Sequence, residues 1–176
     1  MGASAPLAKA DILRLLGVLN AELATSDTRA ELQLVGGAVM CLALGARDST
    51  RDVDALFRPT APLRAAAARV AAREGLAEHW LNDAVKGFLD ARGAFDPFLE
   101  LSHLSVFVAQ PAYLLAMKCV ALRIGEEFHD LDDVRYLLRY LNVTRTADAL
   151  DIVTKYFDAA DVPVKTRLAL EEILGA

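Results

Sequence analysis

Up to about residue 110 the chain switches back and forth between two periodicities, and from Pro111 onward it keeps only one. Residues 31–35 and 51–57 alternate apolar and polar side chains, the pattern of a strand with one buried face. Both runs end at turn residues, Gly36-Gly37 and Pro59. Residues 98–101 and 104–109 read as two further strands. Ahead of them Ile12, Leu15, Leu16, Leu19 and Leu23 recur at helical spacing, and between the first two strands residues 38–44 predict a buried helix closed by Gly45. Pro62 is expected to open an alanine-rich helix that ends near Gly75. Residues 77–96 carry no clear period, with a short helix or loop around Trp80–Asp83. After Pro111 only helices are predicted: to Gly125, then over 129–141, 146–157 and 164–174. The fold class that satisfies both halves is α/β in the α+β sense, a small mixed β-sheet flanked by helices with a helical C-terminal third. We expect a core over residues 1–110 and a helical part over 111–176 packed on it as one compact unit. At 176 residues the chain suits no second independent core.

Composition narrows the function classes. With 55% apolar and 24% charged residues the chain has enough to bury a sizeable core. A formal net charge of −5 argues against a nonspecific nucleic-acid binder, which presents a broad cationic face. Charge is uneven, because residues 47–73 hold six arginines against three aspartates. That excess suits either a local positive rim or a helix solvated by Arg64, Arg69 and Arg73. Cys41 and Cys119 each sit in an apolar stretch and read as reduced, buried thiols with no zinc spacing to a histidine. The N-terminus lacks a basic region followed by an apolar one, and no apolar run reaches the ~20 residues of a membrane span. A cytoplasmic protein with no membrane partner is expected.

The chemistry concentrates between Leu34 and Phe57. Asp52 and Asp54 stand two apart in a predicted strand, so their carboxylates share a face while Val53, Ala55 and Phe57 take the other. Two like charges side by side are unfavourable unless a cation lies between them, and magnesium is the cation that suits phosphate chemistry. Gly36-Gly37 at a strand-to-helix junction lets backbone amides approach an anion. Ser49 and Thr50 offer hydroxyls close by. The combination reads as a metal–triphosphate site, and it is neither a Walker loop nor a dinucleotide fingerprint.

The order strand, Gly36-Gly37, helix, Arg47-x-Ser49-Thr50-x-Asp52-Val53-Asp54 resembles the DNA polymerase β-type nucleotidyltransferase superfamily. It looks in particular like the small bacterial toxin-like branch found in toxin–antitoxin and abortive-infection systems. The helix from Pro111 to Lys118, then Arg123 and Asp130-Leu-Asp-Asp133, is similar to the later motifs of that branch. The resemblance spans roughly residues 32–141. It implies a nucleotidyltransferase-type sheet and Mg2+-dependent transfer of a nucleoside monophosphate from an NTP to an acceptor hydroxyl. The acceptor would be RNA, such as tRNA, or a protein, with an antitoxin protein as partner. By resemblance, Asp52 and Asp54 bind the metal, and Gly36 and Gly37 hold the nucleotide phosphates. Arg47, Ser49, Thr50, Lys118 and Asp133 join the nucleotide site, and Lys118 also acts in catalysis. The superfamily commonly has a third carboxylate on a neighbouring strand, and Leu104–Ala109 has none. Glu100, with Asp96 behind it, is the local candidate. Without that carboxylate a second reading stands, a catalytically inactive binding or regulatory module of the antitoxin-like kind.

Lys118 has Leu114, Leu115, Ala121 and Leu122 at i±3 and i±4, so it lies on an apolar stripe. An ammonium there either snorkels to water or meets an anion, and the triphosphate is the anion expected. On that reading Lys118→Met keeps the fold and loses the charge. Asp130 and Asp133 share a helix face, and Asn82-Asp83, after Trp80, reads as a polar loop or as part of the cleft lining.

Overall fold

A computed structural model describes residues 5–83, 92–123 and 129–175 and is mixed α/β, with seven α-helices and seven strands among those residues. They fall into two compact units, 5–83 with 95–109, and 92–94 with 110–123 and 129–175.

In the first unit the chain runs β1 (Leu7–Ala8), α1 (Lys9–Ala24), β2 (Ala30–Leu34), α2 (Gly36–Leu42), β3 (Ser49–Thr50), β4 (Val53–Arg58) and α3 (Thr60–Glu74). β5 (Leu81–Asn82), β6 (Phe95–Glu100) and β7 (Leu104–Ala109) complete it. Five strands form one sheet in the order β5-β4-β2-β7-β6, while β1 and β3 make a separate ribbon. β2 is antiparallel to β4 and parallel to β7. β4 is parallel to β5, and β6 is antiparallel to β7. Alternation along the strands sends Leu32, Leu34, Val53, Ala55, Phe57, Leu104 and Val106 to one buried face. Gln33, Asp54, Leu56 and Phe107 stand half-buried on the other. α1 and α3 pack together, and each also touches the sheet, at β7 and β4 respectively. They bury Ile12, Leu15, Leu16 and Leu19 from one helix and Leu63, Ala66 and Val70 from the other. Each leucine so buried contributes about 1.5–3 kcal/mol.

The arginines read as a rim or a solvated face have partners. Glu22 is buried at the end of α1 and accepts hydrogen bonds from Arg69 Nε and from Arg73 Nη1 at 3.1 Å. The Arg69 hydrogen bond and charge, with help from Arg73, hold the Glu22 carboxyl below the usual carboxylate range against the opposing effect of burial. Arg64 pairs with Asp83. These three side chains tie α3 to α1 and to the end of β5.

Some boundaries differ from the sequence expectation. α3 begins at Thr60 rather than Pro62, and it ends as expected at Gly75, whose φ of 69° is the left-handed closing conformation. β4 begins at Val53, so Asp52 stands in the bend that feeds the strand. The stretch read as a short helix or loop contains β5. Trp80 is buried at 1% exposure, and its indole Nε1 donates to the Ala67 carbonyl at 3.1 Å. The Trp80 carbonyl accepts the Val53 amide at 2.8 Å. One side chain thus seats the strand against α3 and starts its pairing with β4. Residues 84–91 lie outside the described residues.

The second unit is helical: α4 (Pro111–Val120), α5 (Asp130–Tyr140), α6 (Thr146–Tyr156) and α7 (Val164–Leu174), with a 3-10 turn at Ala159–Asp161. α4 packs on α5 and α6, with the Tyr113 and Tyr156 rings 5.0 Å apart. α4 stops at Val120, short of the expected Gly125, which lies outside the described residues. Two side chains from later in the sequence explain the early stop. Thr166 Oγ1 donates to the Cys119 carbonyl at 2.6 Å, and the Arg123 amide donates to Asp130 Oδ2 at 3.2 Å. In a continuing helix that amide would bond the same Cys119 carbonyl. Cys41 and Cys119 are free and buried, and burial pushes the Cys119 thiol up to about 12. No helix among the described residues is long and apolar enough to cross a membrane.

Candidate functional site

The antiparallel ladder of β2 and β4 builds the site. Leu34 pairs with Ala55, and one residue on the Val35 amide donates to the Asp54 carbonyl at 2.9 Å. The chain then turns into α2 at Gly36, whose φ is +63°. A Cβ at Gly36 would stand 3.1 Å from Asp54 Oδ2, so the turn lies directly against that carboxylate. Left-handed φ and close approach both favour glycine there.

Gly37 has a different reason to be glycine. A Cβ there would stand 2.7 Å from Thr50 Oγ1 and 3.2 Å from Arg47 Nη1. Thr50 is buried, its β3 backbone pairs with Leu7, and its hydroxyl donates to the Asp52 carbonyl at 3.0 Å. Relief of the clash would therefore disturb a packed strand and a hydrogen bond. We expect Gly37→Val to lose about 1–3 kcal/mol of stability, the usual scale for overpacking, and Gly37→Ala to lose less. Thermal melting checks this, and a valine variant as stable as the parent would remove the close approach.

The structure thus brings Gly36 and Gly37 together with Asp54 on one side and Arg47 and Thr50 on the other. Asp52 joins through its carbonyl, and Ser49 lies beside Thr50 in β3, paired with Ala8. Asp52 and Asp54 are both half-buried. The candidate donors, the Asp54 and Asp52 carboxylates and the Ser49 and Thr50 hydroxyls, are all hard oxygen, a chemistry that suits Mg2+ rather than Zn2+. Among the described residues no group of three or more His, Cys, Asp or Glu gathers for a metal.

Asn82, read from the sequence as part of a polar loop or of a cleft lining, lies against Asp54. β5 pairs Asn82 in register with Asp54, and Asn82 Nδ2 donates to Asp54 Oδ1 at 3.1 Å. The signal that favours the second alternative is Trp80, a large anchor just ahead of the polar pair.

Glu100 does not reach the aspartates. It is exposed at the end of edge strand β6, where Ser105 Oγ donates to it at 2.8 Å. Glu100 aligns with Ser105, Ser105 with Glu31, and Glu31 with Arg58. It therefore lies three strands from β4 and in the row of Arg58, four residues along from Asp54. At ~4.8 Å per strand and ~3.3 Å per residue, each offset is about 13–14 Å. Asp96 aligns through Val108 and Leu34 with Ala55, so it too lies three strands away, in a row whose other members face the buried side.

Lys118 finds its anions inside the helical unit. Its Nζ lies 3.2 Å from Asp130 Oδ1 and 2.8 Å from Asp133 Oδ2, and both carboxylates are buried. Arg123 Nε adds a third contact, 2.9 Å from Asp130 Oδ2. Burial acts to raise the Asp130 pKa, but the Arg123 hydrogen bond and the Lys118 charge outweigh it and hold the carboxyl below its ordinary range.

Because the folded pKa values of Glu22 and Asp130 are lowered, their stabilisation is complete above the unfolded carboxylate range and is lost as pH falls through the folded values. With unfolded carboxyls near pH ~4, urea midpoints should hold from pH 7 to about 5 and then fall toward pH 3. A midpoint that rises on acidification would contradict both pairings.

Compared with models of known protein families, with curated proteins and with solved structures, the chain matches none.

Proposed function

We propose that the chain is a Mg2+-dependent nucleotidyltransferase that moves a nucleoside monophosphate from an NTP to an acceptor hydroxyl. On this reading the acceptor is RNA, such as tRNA, or a protein, and an antitoxin protein restrains the activity. The carrying observation is the Gly36-Gly37 turn seated between the Asp54 carboxylate and the Arg47–Thr50 pair. A carboxylate, which suits a cation, and a guanidinium, which suits an anion, lie on either side of two residues that lack side chains. Asp52 and Asp54 would hold magnesium, which when bound neutralises phosphate charge and the repulsion between the carboxylates. Arg47 would pair with phosphate oxygens, and Ser49 and Thr50 hydroxyls would donate to them. The turn admits the phosphates close to its backbone. In the reaction the acceptor oxygen bonds to the α-phosphorus, the bond to pyrophosphate breaks, and the hydroxyl proton leaves to solvent.

A second reading, an inactive binding or regulatory module, is favoured by the position of Glu100, which leaves Asp52 and Asp54 without the expected third carboxylate. One experiment separates the two. The protein is incubated with each α-labelled NTP, magnesium, total RNA and cell lysate. Label on RNA or protein, with pyrophosphate released, supports transfer. NTP binding with nothing labelled supports the inactive module.

A further inference from the structure

We infer that Asn82 is a positioning residue for a divalent cation at Asp54, an inference that rests on the metal reading of that aspartate. β4 and β5 run parallel with Asp54 opposite Asn82, so the two side chains leave the sheet on the same face. Both are half-buried, and the amide Nδ2 lies 3.1 Å from Asp54 Oδ1. An amide is the neutral side chain suited to this post. It donates to a carboxylate without bringing a charge that would repel or replace the cation.

Contact with Asn82 on one oxygen and with the Gly36 turn on the other side sets the plane of the carboxylate. The ordering of the ligand is then made during folding rather than at binding.

The strand that carries Asn82 is fastened at both ends. Trp80 holds the start, through its indole bond to Ala67 and its carbonyl bond to Val53. The Arg64–Asp83 ion pair holds the residue after it. A two-residue strand has little pairing of its own, so these fastenings deliver the amide. Residues that orient a metal ligand typically change metal affinity 10–100-fold when removed, while the fold survives.

The test titrates Mn2+, as a paramagnetic substitute for Mg2+, into the full chain and reads free Mn2+ by electron paramagnetic resonance. Thermal melting without metal runs in parallel. Asn82→Ala and the nearly isosteric Asn82→Leu are expected to bind Mn2+ about 10–100-fold more weakly than the parent while melting as it does, and Asp54→Asn to lose specific binding. Parental Mn2+ affinity in a folded Asn82 variant, with binding lost in Asp54→Asn, overturns the role of Asn82 and leaves the metal reading standing. Absence of saturable Mn2+ binding in the parent overturns the metal reading itself. If both Asn82 variants fail to fold, the amide is a strut of β5 and the inference falls.

Discussion

Lys118→Met is expected to destabilise the protein by about 3 kcal/mol or more, the usual result of leaving buried charge without its partner. For a chain of this size that is a drop in melting temperature on the order of 10 °C. The expectation follows from geometry. One ammonium, 13% exposed, sits 3.2 and 2.8 Å from two carboxylates that are themselves buried. Methionine fills nearly the same volume and satisfies the apolar stripe, so the loss isolates the charge rather than the packing. Reading Lys118 as aimed at a triphosphate predicted a methionine variant that keeps the fold, and the Asp130–Asp133 pair reverses that. Combining Lys118→Met with Asp133→Asn removes one charge of each sign and should recover part of the stability. A methionine variant that melts with the parent would show that the bridge contributes nothing.

The second large effect is on activity. Asp54→Asn should reduce nucleotidyl transfer by about 1,000-fold or more, since several kcal/mol of charge stabilisation leave with the metal ligand. The fold should survive it. Asparagine keeps a carbonyl oxygen for the Asn82 amide, and the Val35 bond is to the backbone of residue 54. Asp52→Asn is expected to act the same way. Transfer assays with magnesium present, checked against melting curves, test both. Full activity in either folded variant would remove the metal–phosphate reading.

How much of this was legible in the sequence depended on where each element's reason lies. The helices α1, α6 and α7 and the central strands carry their periodicity in their own residues, and the bounds of α6, α7 and those strands fall within two residues of expectation. The Gly36-Gly37 turn and the strand that carries Asp54 were equally visible, because a turn and a strand are local events, although Asp52 falls in the bend ahead of β4 and not in the strand. β5 was not, since two residues cannot show a period, and its cause is the contact between Trp80 and Ala67 on α3. The early end of α4 depends on Asp130 and Thr166, and neither leaves a mark in the helix it stops. Lys118 shows the mixed case. Its need for an anion was plain from the apolar stripe, whereas the identity of the anion was set by how the next helix packs. Glu100 misled because strand membership says nothing about row, and only the register puts it beside Ser105.

The sheet order also bears on how the protein emerges from the ribosome. Leu34 meets Ala55 twenty-one residues later, whereas Leu32 meets Val106 seventy-four residues later. Closing the shorter loop costs about 1 kcal/mol less entropy. It is also the only one of the two that the nascent chain has to offer at first. At ~5–20 residues per second, β7 appears a few seconds after β4. During that interval β2 has one hydrogen-bonding edge waiting, beside the apolar Leu32 and Leu34, and such an edge invites pairing with other chains. The stretch that carries the glycines and aspartates therefore has its shorter-range partner available first, and the strand that later covers its edge carries none of them.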